Sequence, residues 1–132
     1  MSEKSLAVVQ RCFELADKGG ARAVVEVLDP DVEWDVSRNS PETKVWRGRQ
    51  GFVDGWRFWM RDWSEFRVEL DELIDAGDVV VALVRQSGRG RGSGVEVEQE
   101  TATVFTVEGG KITRIEAYGG RREALRAAGI PA

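Results

Sequence analysis

The first half of the chain has the hydrophobic spacing of helices. Apolar residues recur every three or four positions over 6–16, and Gly19-Gly20 then supplies a stop signal. A shorter run over 21–28 predicts a second helix, and a third is predicted over 49–63 because its large apolar side chains fall along one helical stripe. That stripe consists of Phe52, Trp56, Trp59 and Trp63.

The second half has the alternation and β-branched residues of strands, separated by glycine-containing turns. Residues 121–128, closed by Gly129, indicate a short C-terminal helix. Helices followed by consecutive strands are typical of an α+β domain, with helices packed on one face of an antiparallel sheet. The predicted strands cover 32–36, 66–75, 79–87, 95–107 and 112–118.

Length and composition favour one folded domain. A chain of 132 residues, 42% of them hydrophobic, supports a single core, so we take 1–132 as one domain. A net charge of -4 argues against a nucleic-acid surface. No apolar run approaches the ~20 residues of a membrane span, and the first residues lack the core of a signal peptide. We expect no nucleic-acid partner, no membrane association and no export.

The sequence contains no histidine, which excludes Ser-His and Cys-His nucleophiles and histidine-bound zinc. Its single cysteine, Cys12, has no internal disulfide partner, and this is typical of a reducing cytoplasm. We therefore expect a cytoplasmic protein without metal or cofactor, in which any chemistry uses Asp, Glu, Lys, Arg, Tyr, the thiol or groups of the substrate.

Four short segments in this order resemble the SnoaL-like branch of the nuclear transport factor two superfamily. They are Ala7–Arg11, Asp29–Trp34, Trp46–Arg49 and Gly110–Ile112. The resemblance covers nearly the whole chain and implies a cone-shaped α+β barrel. In that fold, three N-terminal helices pack on a strongly curved, mostly antiparallel sheet, followed here by the short C-terminal helix.

The resemblance also shows which familiar catalytic positions are changed. Cys12 matches the hydrogen-bonding Tyr of ketosteroid isomerases, and Trp34 matches their general-base Asp. Thr103 falls near their protonated acid, and Ala117 falls near the Asp of SnoaL-type cyclases. The Cys12 thiol is a poor substitute donor, and Trp34 cannot take a proton. The acid of each family is absent at Thr103 and Ala117, so every one of these positions is changed.

The same matches predict an aromatic chamber on the concave face of the sheet. If Trp34 and Thr103 point inward, strand alternation turns Gln99 and Thr101 inward as well. Anchoring the preceding strand to the same family pattern turns Val81, Leu83 and Arg85 inward too. Centring the glycine-arginine hairpin near Gly92 agrees with this, because it pairs Gln99 with Arg85. The predicted ligand-binding residues are Cys12, Trp34, Phe52, Trp56, Trp59, Leu83, Gln99, Thr101, Thr103 and Ala117.

Arg85 and Asp35 are the candidate catalytic residues. A buried guanidinium needs a compensating partner. One interpretation gives Arg85 an internal ion pair with Asp35 or Glu33, or a surface position after a register shift. The other has Arg85 hold an anionic group of a ligand by bidentate hydrogen bonds. In an enzyme, Arg85 would stabilise an oxyanion while Asp35 moved a proton.

Other features also allow two interpretations. The tryptophans either pack the core or line a pocket. Cys12 is a small core residue or a nucleophile without a base to activate it. The glycine-arginine run 88–94 is a solvated hairpin or a phosphate contact. An apolar patch on the convex face predicts a homodimer; its members are Val80, Ala82, Val84, Ala102 and Val104.

Two functions of different class follow. The favoured one is a pocket protein that binds a small hydrophobic or anionic ligand. The alternative is a cofactor-independent isomerase, cyclase or hydrolase acting on a small hydrophobic substrate. The changed catalytic positions favour the first.

Overall fold

The structure is a computed structural model that describes residues 2–37 and 45–130, with side chains from Lys4 onward. Most of the loop predicted over 37–43 lies outside the described residues. The elements are α1 (Ser2–Val24), a 3-10 turn (Val25–Val27), β1 (Leu28–Asp35), β2 (Val45–Arg47), α2 (Gly48–Met60), β3 (Trp63–Asp75), β4 (Val79–Gly90), β5 (Glu96–Glu108), β6 (Lys111–Tyr118) and α3 (Arg121–Ala127).

The first predicted helix and the start of the second are the two parts of α1; the rest of the second, predicted to reach residue 28, is a 3-10 turn followed by the start of β1. The two parts of α1 are separated by a break at Gly20, whose φ of 68° and ψ of -158° are not helical. Glycine reaches this region without a Cβ clash, so the chain turns here and resumes its helical path. The predicted third helix is α2, which ends at Met60, and Trp63 begins β3 instead of closing the helix.

The six described strands form one open sheet in the order β2-β1-β6-β5-β4-β3. β1 pairs in parallel with β6, and the other neighbours are antiparallel. The α+β class and the mostly antiparallel sheet are confirmed, while the described strands do not close into a barrel. The short strand β2 was not predicted. In the described part of the chain, no helix has the length and apolar character to cross a membrane.

Both faces of the sheet carry a hydrophobic core. We call the face toward α1 and α2 the inner face, where Ala82 and Phe105 of the sheet share a cluster with Val9 of α1. On the opposite, outer face, Ala124 and Leu125 of α3 cluster with sheet residues. The outer cluster also contains Val81, Ala102 and Val104.

The predicted orientation of β4 is wrong. The backbone N–H of Gly90 donates to the carbonyl of Val95, and four residues, 91–94, form the turn between them. The hairpin is therefore centred between Gly92 and Ser93, and Gln99 pairs with Gln86 rather than with Arg85. A shift of one residue moves every side chain to the other face, so the three residues predicted inward lie on the outer face. They are Val81, Leu83 and Arg85.

The predicted dimer patch changes for the same reason. Val80, Ala82 and Val84 belong to the inner core. Ala102 and Val104 do lie on the outer face, but they are buried with α3 residues. The apolar centre predicted for the convex face is therefore covered within the chain, and homodimerisation stays a prediction.

Candidate functional site

Six aromatic side chains form a connected series on the inner side, from β1 through α2 to β3. The Trp34 ring lies 5.0 Å from Phe52 and 6.4 Å from Trp56, between ring centroids. Trp56 in turn lies 6.3 Å from Phe66. Trp59 and Trp63 complete the series, 5.7 Å apart and each within 6.0 Å of Phe66. We call these six residues the aromatic wall: Trp34, Phe52, Trp56, Trp59, Trp63 and Phe66.

A β-bulge brings two of these rings to the same face of β3. Ser64 pairs with Arg89 and Arg67 with Ser87, so two residues of β3 lie opposite one residue of β4. One of the two, Glu65, has a φ of 56°, in the left-handed region that is unusual for a residue with a side chain. The extra residue allows Trp63 and Phe66 to face inward together although they are three positions apart.

Gly88 of β4 makes room for this arrangement. A Cβ added there would lie 2.8 Å from Cε3 of Trp63 and 3.2 Å from Cδ1 of Phe66. These separations are too short for ordinary carbon contacts, so glycine lets both rings lie directly on the strand. Beside the two rings is a shallow groove with about 150 Å³ of empty space, open to solvent. Its lining is Trp63, Phe66, Gln86, Ser87, Gly88, Val97 and Gln99.

Beyond the groove, a row of polar side chains follows the inner face of β5. At the rim of the groove, Nε2 of Gln99 donates to Oε1 of Gln86 at 3.1 Å. Thr101 follows on the same face, paired with Val84, and Thr103 pairs with Ala82 and with Ala117 of β6. Thr101 is only 6% exposed, and its hydroxyl has no hydrogen-bond partner in the described part of the chain.

No described residue of the aromatic wall or of the groove lining carries a charge. Cys12 belongs to the inner core next to this region. Burial raises the pKa of its thiol to about 12, because an apolar surrounding disfavours the thiolate. The thiol therefore stays protonated and behaves as an apolar core group. This favours the interpretation of Cys12 as a small core residue over that of a nucleophile.

Arg85 lies away from this site. It projects from the outer face of β4, where its guanidinium approaches carboxylate oxygens of Asp71 at 3.4 Å and Glu69 at 3.7 Å. Its side chain is 42% exposed, so it is a partly solvated ion-pairing residue on the surface. The oxyanion role considered for Arg85 required an inward orientation, and the register removes that basis.

Asp35 also lies on the outer face, because it follows the inward-facing Trp34 on β1. It is 7% exposed, and Oδ1 accepts hydrogen bonds from the backbone N–H and hydroxyl of Ser37 at 2.9 Å and 2.6 Å. Its other oxygen lies 3.2 Å from Nη2 of Arg114. Arg114 also contacts Glu33 at 2.6 Å and Glu116 at 3.5 Å. Arg114, rather than Arg85, is thus the arginine that pairs with Glu33 and Asp35.

The arginines of the glycine-rich turn have partners within the protein. Arg91 donates to the carbonyl oxygen of Trp63 at 2.8 Å and to that of Arg61 at 3.2 Å. Arg89 pairs with Glu96 at 2.8 Å. Because Arg91 ties the turn to the junction of α2 and β3, it helps to position the Trp63 end of the aromatic wall.

The structure brings together most of the predicted site and adds residues that were missed. Of the predicted ligand-binding set, Leu83 lies on the outer face, with Arg85. The missed groove residues are Trp63, Phe66, Gln86, Ser87, Gly88 and Val97. Gln86 was missed through the register error, whereas Trp63 and Phe66 lie beside a bulge that strand alternation does not indicate.

Comparison with known proteins decides the family. The model of the SnoaL-like domain matches residues 9–115. The chain belongs to the SnoaL-like family. It is similar to the structure of an NTF2-like protein from Burkholderia thailandensis, with 26% identity, a TM-score of 0.78, and coverage of 95% of this chain and 96% of that one.

Two further structures that resemble this SnoaL-like chain contain small molecules. TerC, co-crystallised with polyporic acid, has 17% identity and a TM-score of 0.76 over 95% of this chain and 97% of TerC. A Catenulispora acidiphila protein with a ketosteroid isomerase-like fold, in complex with trimethylamine, has 18% identity and a TM-score of 0.73 over 94% and 93% of the two chains. At these identities the similarity shows the fold. No curated protein matches the chain.

Proposed function

We propose that this protein binds a small, neutral, largely apolar molecule against the aromatic wall. The observation that carries the proposal is the aromatic wall itself, which ends in a solvent-open groove beside Trp63 and Phe66. Aromatic surfaces with a few polar groups are typical of small-molecule sites. Four indole rings in one connected series provide a large apolar contact area at low cost in side-chain entropy.

The charge distribution favours a neutral ligand over an anionic one. Arg85, the residue predicted to hold an anion, lies on the outer face with Glu69 and Asp71. A carboxylate placed against the wall would lose hydration without gaining a cationic partner among the described lining residues. That loss costs on the order of several kcal/mol. Of the two predicted kinds of ligand, hydrophobic and anionic, we therefore propose the hydrophobic one.

The groove is too shallow to enclose a ligand as it stands. Its roughly 150 Å³ of empty space includes open solvent, and no enclosed room remains even for a water molecule. Binding therefore requires that Gln86 separate from Gln99 or that a tryptophan at the rim rotate.

Binding without turnover is the function that the side chains support. General acid-base catalysis needs a titratable group within hydrogen-bond reach of the ligand. Asp35 faces the opposite side of β1, where Arg114 and Ser37 hold it, and the Cys12 thiol stays protonated. The small molecules bound to TerC and to the Catenulispora protein agree with a ligand role for this fold.

An NMR titration with cumene, a neutral single-ring hydrocarbon, tests the proposal. We expect saturable shifts of the indole N–H signals in the wild-type protein. Trp56→Leu removes a ring from the middle of the wall and should weaken binding by about tenfold or more, since burial of aromatic area contributes roughly 25 cal/mol per Å². The matched control is Phe58→Leu, because Phe58 lies on the same helix but contacts Trp46 instead of the wall.

Two results would overturn the proposal. One is the absence of any saturable shift with cumene in the wild-type protein. The other is equal weakening in Trp56→Leu and Phe58→Leu, which would place the probe elsewhere or reflect a general loss of fold. Circular dichroism of both variants separates a lost site from a lost fold.

We also propose a cytoplasmic location, which the buried free thiol of Cys12 supports. We propose a homodimer as well, since dimers with two-fold symmetry are the commonest soluble oligomers. Its interface would have to lie outside the apolar centre of the outer face, which α3 covers.

A further inference from the structure

We propose that the Thr101 hydroxyl forms the anchoring hydrogen bond to the ligand, and that the ligand is therefore a neutral molecule whose leading end carries a carbonyl or hydroxyl oxygen. The inference rests on the proposed function and specifies the chemistry of its ligand. It starts from a polar atom that the folded chain leaves without a partner.

The state of this hydroxyl is unusual for a buried group. Thr101 is 6% exposed, and its Oγ1 atom is buried with no hydrogen-bond partner in the described structure. Buried polar groups are almost always paired, because an unpaired one loses its hydration without replacement. Such a hydroxyl gains a hydrogen bond when a ligand places a polar atom beside it.

The position of Thr101 relates it to the groove. It pairs with Val84 on the inner face, two residues further along β5 than Gln99, which lines the groove. Residues i and i+2 of a strand point to the same side and lie about 7 Å apart. That distance is close to the length of one aromatic ring. Thr101 does not line the groove, so a single-ring ligand brings its leading atom to the hydroxyl once Gln86 and Gln99 separate.

The chemistry of the hydroxyl restricts the ligand. A threonine hydroxyl is both donor and acceptor, so it can pair with a ketone oxygen or with an alcohol. It carries no charge, and the described lining residues include no cation to compensate a carboxylate. An aryl ketone therefore meets the requirement, while the corresponding carboxylate does not.

Three single-ring probes of similar shape test this inference in NMR titrations. They are acetophenone, which carries the ketone, cumene, which replaces the ketone oxygen by a methyl group, and benzoate, which carries a charge. In the wild-type protein we expect benzoate to bind most weakly. In Thr101→Val, which keeps the shape of the side chain, we expect acetophenone binding to weaken about five- to tenfold while cumene binding stays within twofold.

A conservative variant and a variant on the outer face serve as controls. Thr101→Ser restores the hydroxyl and should restore the affinity for acetophenone. Thr106→Val makes the same chemical change on the outer face of β5 and should leave the ratio of the two affinities unchanged. A ratio that changes equally in Thr101→Val and Thr106→Val would overturn the assignment to Thr101.

The protein without ligand provides a second readout. Replacing an unpaired buried hydroxyl by a methyl group of the same size removes an unfavourable group, so Thr101→Val should raise the Tm by about 3–6 °C. A lower Tm would show that the hydroxyl is satisfied in the free protein, and the inference would then fail.

The outcomes distinguish this inference from the proposed function. If cumene and acetophenone bind the wild-type protein and Thr101→Val changes neither, the inference fails while the proposed function stands. If neither probe binds the wild-type protein, the proposed function fails and this inference fails with it. Binding of benzoate tighter than of acetophenone would overturn the neutral ligand class.

Discussion

At the scale of single residues, Cys12 illustrates how burial sets chemistry. Its thiol lies in the inner core, and burial raises its pKa from an ordinary value of 9.0 to about 12. The folded state thus keeps a proton that the unfolded state releases above pH 9. The stabilising contribution is complete below that pH and is lost as the pH rises toward 12.

This difference predicts a steeper alkaline loss of stability in the wild-type protein than in Cys12→Val. Between pH 9 and 11, the free energy of unfolding of the wild type should fall by up to about 1.4 kcal/mol per pH unit more than that of the variant. Urea unfolding at a series of pH values measures both curves. The two proteins differ only at residue 12, so parallel curves would contradict a raised thiol pKa.

Arg85 and Asp35 show why residue type alone did not identify a site. An arginine and an aspartate near a pocket suggest chemistry, but each side chain lies on the face that its strand register dictates. Asp35 follows the inward-facing Trp34 and therefore points outward, where Arg114 is its partner. The same argument applies to Arg85 after the one-residue correction of β4.

At the scale of elements, the bulged strand β3 determines the shape of the site. Its two interruptions, between Ser64 and Arg67 and between Leu70 and Glu72, break the period of two along the strand. The first places Trp63 and Phe66 together over Gly88. The groove therefore depends on glycine at position 88, because both rings lie over it.

Gly88→Ala tests this dependence. The added Cβ would lie 2.8 Å from Trp63 and 3.2 Å from Phe66, so at least one ring has to move. We expect destabilisation of about 1–3 kcal/mol and at least a tenfold loss of cumene affinity. Gly120→Ala is the control, because a Cβ there meets nothing within 4 Å. Chemical denaturation and the NMR titration measure the two effects, and equal behaviour of both variants would rule out the packing argument.

All the longer elements could be predicted from sequence, whereas the three-residue strand β2 could not. Periodicity located α3 to within a residue, over 121–128 against Arg121–Ala127, and placed the start of β4 correctly at Val79. Alternation also placed Thr101 and Thr103 on the correct face of β5. Strong local patterns carry this information because helices and strands bury side chains at fixed intervals.

The register of β4 could not be predicted in the same way. Glycines at 88, 90, 92 and 94 allow the chain to reverse at several centres, and backbone hydrogen bonds choose among them. The bulge at Glu65 is equally hidden, because glutamate gives no sign of a left-handed conformation. The inner face of β5 was thus predictable, whereas the groove was not.

At the scale of the whole molecule, one sheet serves two cores. Neighbouring residues of β4 and β5 alternate between the inner core with α1 and α2 and the outer core with α3. Loss of packing on one face therefore removes support from the strands that hold the other face. The domain should unfold as a unit, as small single domains usually do.

Leu125→Ala tests this coupling from the face without tryptophan. Leu125 is buried in the outer cluster, and all five tryptophans lie outside that cluster. Truncation should cost about 2–5 kcal/mol, and it should lower the unfolding midpoint seen by tryptophan fluorescence as much as that seen by circular dichroism.

Leu15→Ala, a matched truncation in the inner core, should shift the two signals together as well. If Leu125→Ala instead gave an early circular dichroism transition with unchanged fluorescence, α3 and the outer core would unfold on their own. The aromatic wall would then not depend on the outer core, and changes at α3 could not reach the ligand site through the sheet.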